Sequence, residues 1–377
     1  MSREQLRVAI AGTGFIGRVH AHAVRVAGAR LVAVAASTFD SAERAAELLG
    51  AERAEPSAEV MAAADDIDVL HICTPNDLHE PLAVTALASG KHVVCEKPLA
   101  LDADGAGRME AAATAAGLVL AVPYVYRFHP TVRQARALIA SGDIGPVRLL
   151  HGSYQQDWLA SPDDDSWRVD PNVGGRSRAF ADIGSHWCDL VEFASGHRIA
   201  RVLARTATVV PERAVATGPA FSSAATADRI RRPVETEDVA LVLFETAEGA
   251  VGSVVVSQVS PGRKNRLWFE LDGADGSIVF DQEQAERLEV GRRAGRTVLF
   301  RDPATMAPDA SRLATMPAGH AQGYQDCFNL FVADAYAAMG GEVPEGLPTA
   351  GDGVRSARII DAVLASASGG TWQEVAS

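Results

Sequence analysis

Two short segments of the chain carry side chains whose types and spacing could do chemistry. The first is Glu96-Lys97-Pro98, which directly follows Lys91 to Cys95, a run that looks like the end of a buried strand. In an open α/β sheet, ligands bind beyond the carboxyl ends of the strands, so a lysine and a carboxylate at this position indicate a binding site. Pro98 biases Lys97 away from helix, and we expect its ammonium in an extended turn.

The second segment is Asp182-Ile183-Gly184-Ser185-His186. On a helix predicted from about Asp182 to Ser195, positions four apart share a face, so the carboxylate and the imidazole can point into one cavity. A carboxylate beside an imidazole orients it and raises its basicity, which suits a general base. Two other interpretations stay open: a helix-capping Asp182 with a core histidine, or a metal site. Only Asp189 could add a ligand nearby, so we predict no metal.

A glycine-rich fingerprint lies near the amino terminus, between a predicted strand and the helix that it opens. In G-x-G-x-x-G the first glycine permits the tight turn, the second lets the backbone approach a pyrophosphate, and the third allows close packing of helix on strand. The helix N-terminus adds N–H donors and a favourable dipole. The motif predicts a bound dinucleotide, and its residues are Gly12, Thr13, Gly14, Phe15, Ile16 and Gly17.

Two further turns are expected to contact the dinucleotide. Thr74-Pro75-Asn76, with His79 one turn later, follows another predicted strand and should lie along the nicotinamide half. The second strand ends without an acid for the adenosine ribose and without a cation for a 2′-phosphate, so Ser37 and Thr38 are predicted to bind the ribose. The cofactor is predicted to be NAD, with NADP not excluded. We expect Asp40 to cap the following helix.

The elements that must position these residues follow from the periodicity. The first ~125 residues alternate strand and helix as a doubly wound parallel sheet does, and residues 126–377 show longer strands with two-residue alternation. We predict an α/β protein: an N-terminal Rossmann domain over residues 1–125, and a C-terminal α+β domain with a large, mainly antiparallel open sheet over residues 126–377. Two late helices, near Gln325 to Met339 and Val354 to Ala367, are expected to cover the first domain. Pro211 to Pro233 has no clear period and is predicted to be a loop.

Composition restricts the partners. The chain has 377 residues and a formal charge of −13, which argues against a nucleic acid or an anionic membrane surface as partner. No apolar run approaches the ~20 residues of a membrane helix, and no signal sequence precedes the first motif, so we expect a cytoplasmic protein. The four cysteines show no paired spacing and are expected to be reduced.

Taken together, five motifs resemble the Gfo/Idh/MocA oxidoreductases in order and spacing. They are the glycine fingerprint, Thr74-Pro75-Asn76 with His79, Glu96-Lys97-Pro98, Tyr126-Arg127-Phe128, and Asp182 with His186. The resemblance covers nearly the whole chain. It implies a nicotinamide cofactor used on sugars or cyclitols, and a C-terminal sheet that forms homodimers or homotetramers. In the family an asparagine often stands two residues before the Arg-Phe pair, whereas this chain has Val125.

The resemblance also implies roles for the residues. Lys97, Asp182 and His186 correspond to the catalytic group, and Glu96, Lys97 and Arg127 are expected near the cofactor. Our hypothesis is that a carbinol carbon gives up a hydride while His186 removes the hydroxyl proton, Asp182 orients the imidazole, and Lys97 stabilises the developing alkoxide.

Substrate contacts are predicted from a mixture of aromatic and planar polar side chains, as sugar sites have. Strand parity should place Tyr154, Gln156 and Trp158 on one face, although a plain sheet-surface role fits them equally well. The predicted substrate residues are Lys97, Tyr126, Gln156, Trp158, Arg168, Asp182 and His186. The segment resembles that of family members acting on sugars, anhydrosugars and cyclitols, so oxidation of a secondary hydroxyl to a ketone is expected. The alternatives are a lyase or glycosidase that uses tightly bound NAD transiently, and a non-catalytic dinucleotide-binding regulator.

Overall fold

The computed structural model describes residues 5–215 and 230–376. The chain divides into two compact units, each with its own sheet. Unit 1 comprises Met1–Pro123, Asn172–Gly175 and Gln325–Ala357, and unit 2 comprises Tyr124–Pro171, Arg176–Tyr324 and Arg358–Ser377. The assignment of separate cofactor and substrate domains, divided at residue 125, stays a prediction. No helix in the described part of the chain is both long and apolar enough to cross a membrane.

Unit 1 contains a six-stranded parallel sheet in the order β3-β2-β1-β4-β5-β6. The strands are β1 (Arg7–Ala11), β2 (Arg30–Ala35), β3 (Arg53–Ala54), β4 (Val69–Ile72), β5 (His92–Cys95) and β6 (Leu120–Ala121). Strand β4 is buried at every position, as expected for a parallel sheet covered on both faces. This strand order is that of the Rossmann fold, so the predicted fold of the N-terminal domain is confirmed.

The helices of unit 1 alternate with its strands along the chain. They are α1 (Phe15–Val26), α2 (Phe39–Leu49), α3 (Ala58–Ala63), α4 (His79–Ala88) and α5 (Ala103–Ala116). One cap was predicted wrongly. Helix α2 begins two residues earlier than expected, and Thr38, not Asp40, is its N-cap, because the Thr38 hydroxyl accepts a hydrogen bond from the Ser41 N–H at 3.2 Å.

Unit 2 contains a nine-stranded sheet in the order β16-β15-β14-β13-β7-β12-β11-β8-β17. Its strands are β7 (Val147–Gln155), β8 (Ile199–Ala207), β11 (Val239–Thr246), β12 (Val251–Ser257), β13 (Arg266–Gly273), β14 (Ser277–Asp281), β15 (Arg287–Arg292), β16 (Gly295–Phe300) and β17 (Gln373–Glu374). All neighbouring strands are antiparallel except β7 and β12, which are parallel. The predicted large, mainly antiparallel sheet is therefore confirmed.

The remaining helices come after β6 in the chain. They are α6 (Pro130–Ala140), α7 (Pro171–Gly174), α8 (Ser185–Ser195), α9 (Pro308–Leu313), α10 (Tyr324–Met339) and α11 (Ala350–Gly369). Residues 325–357, which include most of α10, belong to unit 1, and the covering of the first domain by the late helices stays a prediction. Helix α8 packs on one face of the unit 2 sheet, where Trp187 is fully buried and donates to the Trp268 carbonyl at 2.9 Å.

The segment predicted to be a loop, Pro211 to Pro233, contains two short strands. Its two ends form an antiparallel pair, β9 (Glu212–Ala214) and β10 (Arg231–Pro233). Residues 216–229 lie outside the described residues. The prediction missed the pair because strands of three residues are too short to show a period.

Candidate functional site

The glycine fingerprint of unit 1 has the geometry that a pyrophosphate requires. Gly12 has a φ of 93°, and a Cβ there would lie 2.4 Å from the Cys73 carbonyl oxygen, so only glycine fits. A Cβ at Gly17 would lie 2.1 Å from the Gly12 carbonyl oxygen. At Gly14, by contrast, a Cβ would meet nothing within 4 Å. This open space lies at the start of α1, where the N–H groups and the helix dipole favour an anion.

The turn after β4 provides a second test of whether a dinucleotide fits. The Asn76 amide donates to the Gly174 carbonyl at 2.8 Å, so this buried side chain fixes the turn. The Thr74 hydroxyl oxygen is buried and has no hydrogen-bond partner among the described residues. Buried hydroxyl groups are normally paired, so the atom is suited to a ligand group. Together with the space at Gly14, this fits a dinucleotide lying across the strand ends, with Pro75 beside it.

His79 joins this turn to the lysine motif. Its Nδ1 lies 2.9 Å from the Pro98 carbonyl oxygen and its Nε2 lies 3.1 Å from the Thr74 carbonyl oxygen. Burial lowers the pKa of His79, which keeps the ring neutral. A neutral imidazole carries one N–H, so it donates to one of the two carbonyls at a time. His79 therefore connects the two predicted cofactor turns through their backbone, and direct contact with a cofactor stays a prediction.

Glu96 and Lys97 lie at the end of β5, as predicted. Lys97 is half-buried, and its peptide bond to Pro98 is cis. Glu96 is buried, and its two carboxylate oxygens have different partners: Oε1 lies 3.0 Å from His20 Nε2, and Oε2 accepts the Lys97 backbone N–H at 3.3 Å. Sequence reasoning missed His20, because it lies on helix α1, 76 residues before Glu96 in the chain.

The predicted ribose-binding pair lies after β2. Ser37 and Thr38 are both exposed. The Thr38 hydroxyl is already engaged at the helix start, since it also donates to the Ser41 hydroxyl at 2.8 Å. Arg44 donates to the same Ser41 oxygen at 3.1 Å. Ser37 is thus the better placed of the two for a ribose hydroxyl, and both assignments stay predictions.

In unit 2, His186 lies in an aromatic enclosure. It is 7% exposed, and its ring lies edge-on to Tyr126 at 5.0 Å and to Tyr124 at 5.7 Å between centroids. Tyr154 lies at 6.4 Å. Such an environment excludes water and strengthens electrostatic interactions with a bound group. His186 occupies the first turn of α8, on the predicted helix.

Asp182 does not cap a helix, and this alternative was wrong. The residue lies in a π-helical turn, Phe180–Gly184, that runs directly into α8. Its Oδ2 accepts a hydrogen bond from the Gln258 amide at 2.7 Å, and its Oδ1 lies 3.4 Å from Arg168 Nε. Turns of this kind occur frequently at functional sites, because they re-aim one side chain of a helix.

A buried charge network supports Asp182 through Gln258. Arg178 donates to the Gln258 amide oxygen at 3.2 Å and forms an ion pair with Asp238. Arg213 donates to the same Asp238 oxygen at 2.8 Å. These side chains are at most 1% exposed, and burial lowers the pKa of Arg178 while the Asp238 charge opposes that effect. Sequence reasoning missed all four, since none belongs to a motif.

Three of the predicted substrate residues, Tyr126, Gln156 and Trp158, are joined by hydrogen bonds around Asn265. The Tyr126 and Tyr154 hydroxyls are 2.7 Å apart, and Tyr154 donates to Asn265 Oδ1 at 2.6 Å. The Asn265 amide nitrogen donates back to Tyr126 at 3.1 Å, and Gln156 donates to Asn265 at 2.9 Å. Trp158 Nε1 donates to Gln156 at 2.8 Å. Burial, with Tyr126 adding to it, raises the pKa of Tyr154, so this hydroxyl stays protonated.

The route by which these residues meet differs from the prediction. Strand β7 ends at Gln155, so strand parity does not extend to Trp158, and that expectation was wrong. The side chains are instead gathered by hydrogen bonds to Asn265 at the start of β13. Arg168 adds a cation over the neighbouring rings, with its guanidinium 4.4 Å from the Trp167 centroid and 5.9 Å from that of Trp158.

Arg127 is buried in unit 2, where it holds helix α8. Its Nε donates to Asp189 Oδ2 at 2.8 Å, a second contact joins Nη2 to Oδ1, and the guanidinium lies 4.9 Å from the Phe193 ring centroid. Asp189, which a metal site would have needed, is thereby engaged with a cation. Among residues 5–215 and 230–376, no three His, Cys, Asp or Glu side chains form a metal-binding group. A role of Arg127 at the cofactor stays a prediction.

Comparison with known proteins agrees with both units. Residues 6–124 match the oxidoreductase family with an NAD-binding Rossmann fold, and residues 132–279 match the GFO/IDH/MocA C-terminal domain. A levoglucosan dehydrogenase of Pseudarthrobacter phenanthrenivorans is 33% identical over 99% of this chain and 98% of that protein. An inositol 2-dehydrogenase of Rhizobium meliloti is 29% identical over 78% of this chain and 80% of that protein.

A solved structure of levoglucosan dehydrogenase, in complex with NADH and L-sorbose, superposes with a TM-score of 0.90 at 30% identity, covering 99% of each chain. The resemblance seen in the motifs therefore extends over the whole chain, in sequence and in fold. The protein belongs to the Gfo/Idh/MocA family of oxidoreductases and is an NAD-dependent enzyme of that family.

Proposed function

We propose that this enzyme oxidises a secondary hydroxyl of a sugar, an anhydrosugar or a cyclitol to the ketone. The observation that carries the proposal is the hydrogen-bonded network around Asn265, beside the aromatic enclosure of His186. Fixed hydroxyl and amide groups next to aromatic rings suit a ligand that presents several hydroxyls on a compact ring. The similarity to a levoglucosan dehydrogenase makes an anhydrosugar the first candidate, and an inositol is the second.

The cofactor would be held by residues of unit 1. These are Gly12 to Gly17 for the pyrophosphate, Ser37 and Thr38 for the ribose, and Thr74, Pro75, Asn76, His79, Glu96 and Lys97 along the nicotinamide half. When bound, NAD⁺ supplies the hydride acceptor at C4 of the nicotinamide. The residues of this chain must therefore handle the hydroxyl proton and the charge that develops on oxygen.

We assign the proton to His186 and the charge to Lys97. The imidazole, enclosed by tyrosines, removes the hydroxyl proton, and Asp182, which contacts Arg168, stabilises the charged ring. The Lys97 ammonium donates to the same substrate oxygen and stabilises the alkoxide. Tyr126, Gln156, Trp158 and Arg168 bind the other hydroxyls of the ring.

The test is a screen of NAD⁺ and NADP⁺ against sugars, anhydrosugars and inositols, followed by absorbance of the reduced nicotinamide. We expect NADH to accumulate with at least one secondary alcohol and the ketone to be recovered. An enzyme that uses the redox step only transiently would convert its substrate without accumulating NADH. A regulator would do neither, and either result would overturn the proposal.

We further propose that the protein is a homodimer or homotetramer that associates through the unit 2 sheet. Strands β11 and β12 alternate buried and exposed positions, and one face carries exposed apolar side chains: Leu241 (49%), Leu243 (52%), Val251 (53%) and Val255 (37%). An apolar face of this kind is typical of an interaction surface. Light scattering should find an oligomer for the wild type and a smaller species for Leu243→Glu. A monomeric wild type would contradict the proposal.

A further inference from the structure

A buried chain of hydrogen bonds runs through the core of unit 1 and ends on Glu96. Tyr336 of α10 lies 2.9 Å from His71 Nε2 on β4. His71 Nδ1 lies 2.8 Å from His20 Nδ1 on α1, and His20 Nε2 lies 3.0 Å from Glu96 Oε1. Both histidines are 0% exposed, Glu96 is 8% exposed and Tyr336 is 9% exposed. Nothing in the proposed hydride transfer uses these two imidazoles.

The geometry of the chain fixes the direction of its hydrogen bonds. Glu96, as a carboxylate, can only accept, so His20 Nε2 must carry the hydrogen. For a neutral ring, His20 Nδ1 then accepts from His71 Nδ1, and His71 Nε2 accepts from the Tyr336 hydroxyl. Burial lowers the pKa of His71, with His20 adding to the effect, and burial raises the pKa of Tyr336. This direction requires a neutral His71 and a protonated Tyr336, which agrees with both shifts.

Glu96 links this chain of hydrogen bonds to Lys97. While Oε1 is held by His20, Oε2 accepts the backbone N–H of Lys97 at 3.3 Å. Cys73 and Cys95, at the ends of β4 and β5, have pKa values raised by burial and by the Glu96 charge. On α4, burial lowers the pKa of His79. The Glu96 charge raises this pKa to a smaller extent, and the Lys97 charge lowers it.

We propose that His20 is a positioning residue for Lys97. By donating to Glu96 from a tautomer that His71 and Tyr336 fix, it holds the carboxylate in the orientation that binds the Lys97 backbone. The inference rests on the proposed function, because it gives Lys97 its role at the substrate oxygen. It also assigns Glu96 to the positioning of Lys97, an alternative to direct contact with the cofactor.

The test compares His20→Leu, which removes the donor, with His20→Gln, whose amide can still donate to Glu96. A hydrogen bond to a charged group is worth enough that its loss should lower kcat by roughly ten-fold or more. We expect this loss in His20→Leu, with the KM for the sugar and the Kd for NADH changed less than about three-fold. His20→Gln should restore most of kcat. His22→Leu, an exposed histidine of the same helix, is the matched control and should behave as wild type.

A double-mutant cycle separates positioning from support of the fold. If His20 acts through Glu96, the double variant His20→Leu with Glu96→Gln should be no slower than Glu96→Gln alone. Additive losses, or an unchanged kcat per NADH-binding site in His20→Leu, would overturn the inference. Where His20→Leu does not fold, Tyr336→Phe decides instead. We expect it to lower kcat, though less than Glu96→Gln does, and an unchanged kcat in Tyr336→Phe would count against the inference.

Failure of the inference is distinguishable from failure of the proposed function. If no alcohol in the screen is oxidised, the proposed function is wrong. If Lys97→Ala retains wild-type turnover, the enzyme keeps its function but the assignment of Lys97 is wrong, and the inference fails with it. If Lys97→Ala loses turnover but His20→Leu keeps it, only the positioning role of His20 is wrong.

Discussion

Gln258 donates a 2.7 Å hydrogen bond to the Asp182 carboxylate and accepts one from Arg178 through its other amide atom. A single fully buried side chain thus joins the candidate orienting carboxylate to the charge pair Arg178 and Asp238. The amide can satisfy both neighbours only in one orientation, with nitrogen towards Asp182 and oxygen towards Arg178. The position of Asp182 is therefore set by the core of unit 2 and not by the surface of the site.

Replacing Gln258 with leucine should affect both stability and catalysis. The change leaves Asp182 and Arg178 each short of a buried partner, which should cost about 1–3 kcal/mol in the free energy of unfolding. We also expect kcat to fall about ten-fold, because the carboxylate to which we assign the orientation of His186 is no longer held in place. Denaturant unfolding and steady-state kinetics measure the two effects. A stability loss with kcat unchanged would show that Gln258 supports the fold alone.

Lys97→Ala and His186→Ala should each lose at least the contribution of general acid–base catalysis, about 10²- to 10⁴-fold in turnover. Binding of NADH, followed by fluorescence, should remain nearly intact, because neither change touches the pyrophosphate turn. Lys97→Arg is the matched variant: it keeps the charge but changes the geometry of donation, so we expect only partial recovery. Unchanged turnover in either alanine variant would remove that residue from the mechanism.

Asn265→Leu should separate substrate binding from cofactor binding. Asn265 connects Tyr126, Tyr154 and Gln156, and its loss leaves three polar groups to reorganise. At about 1 kcal/mol for each net hydrogen bond, we expect KM for the sugar to rise ten-fold or more while the Kd for NADH is unchanged. Tyr154→Phe removes a single hydroxyl and should give a smaller increase. If either variant weakened NADH binding as much as it raised the KM for the sugar, a substrate role for Asn265 would be contradicted.

The reach of sequence reasoning differs between local and distant relationships. The glycine turn and Glu96-Lys97-Pro98 could be predicted, because their chemistry lies within a few consecutive residues. Asn265 could not, since its partner Gln156 lies 109 positions away and meets it only when β7 and β13 pair. The same holds for His20, whose contact with Glu96 depends on packing of α1 against the sheet. Strand β16 is hard to predict for another reason: it is an edge strand, mostly exposed, and shows no alternation.

The stability of the protein should fall as the pH is lowered below about 6.5, the ordinary pKa of histidine. Burial lowers the pKa values of His71, His79 and His92 in the folded protein. The unfolded chain then binds more protons than the folded one below that pH, so the stabilisation present at higher pH is lost progressively. Melting temperatures between pH 8 and pH 5 should show a plateau followed by a decline.

His92→Asn tests this explanation at one position. His92 Nδ1 accepts the Val119 N–H at 3.0 Å, which requires an unprotonated nitrogen, and the asparagine oxygen can accept in its place without titrating. We expect a shallower decline of the melting temperature in this variant. A decline identical to that of the wild type would show that His92 contributes nothing to the pH dependence.

Gly14→Ala and Gly17→Ala should separate ligand binding from packing within one motif. Gly14 has a φ of −69°, which alanine adopts readily, and its Cβ would meet no protein atom within 4 Å. We expect a melting temperature close to that of the wild type, and weaker NADH binding because the new methyl group occupies the space for the pyrophosphate. At Gly17 the Cβ would collide with the Gly12 carbonyl oxygen at 2.1 Å, so both the melting temperature and NADH binding should fall. If Gly14→Ala bound NADH as tightly as the wild type does, the dinucleotide would not lie against this turn.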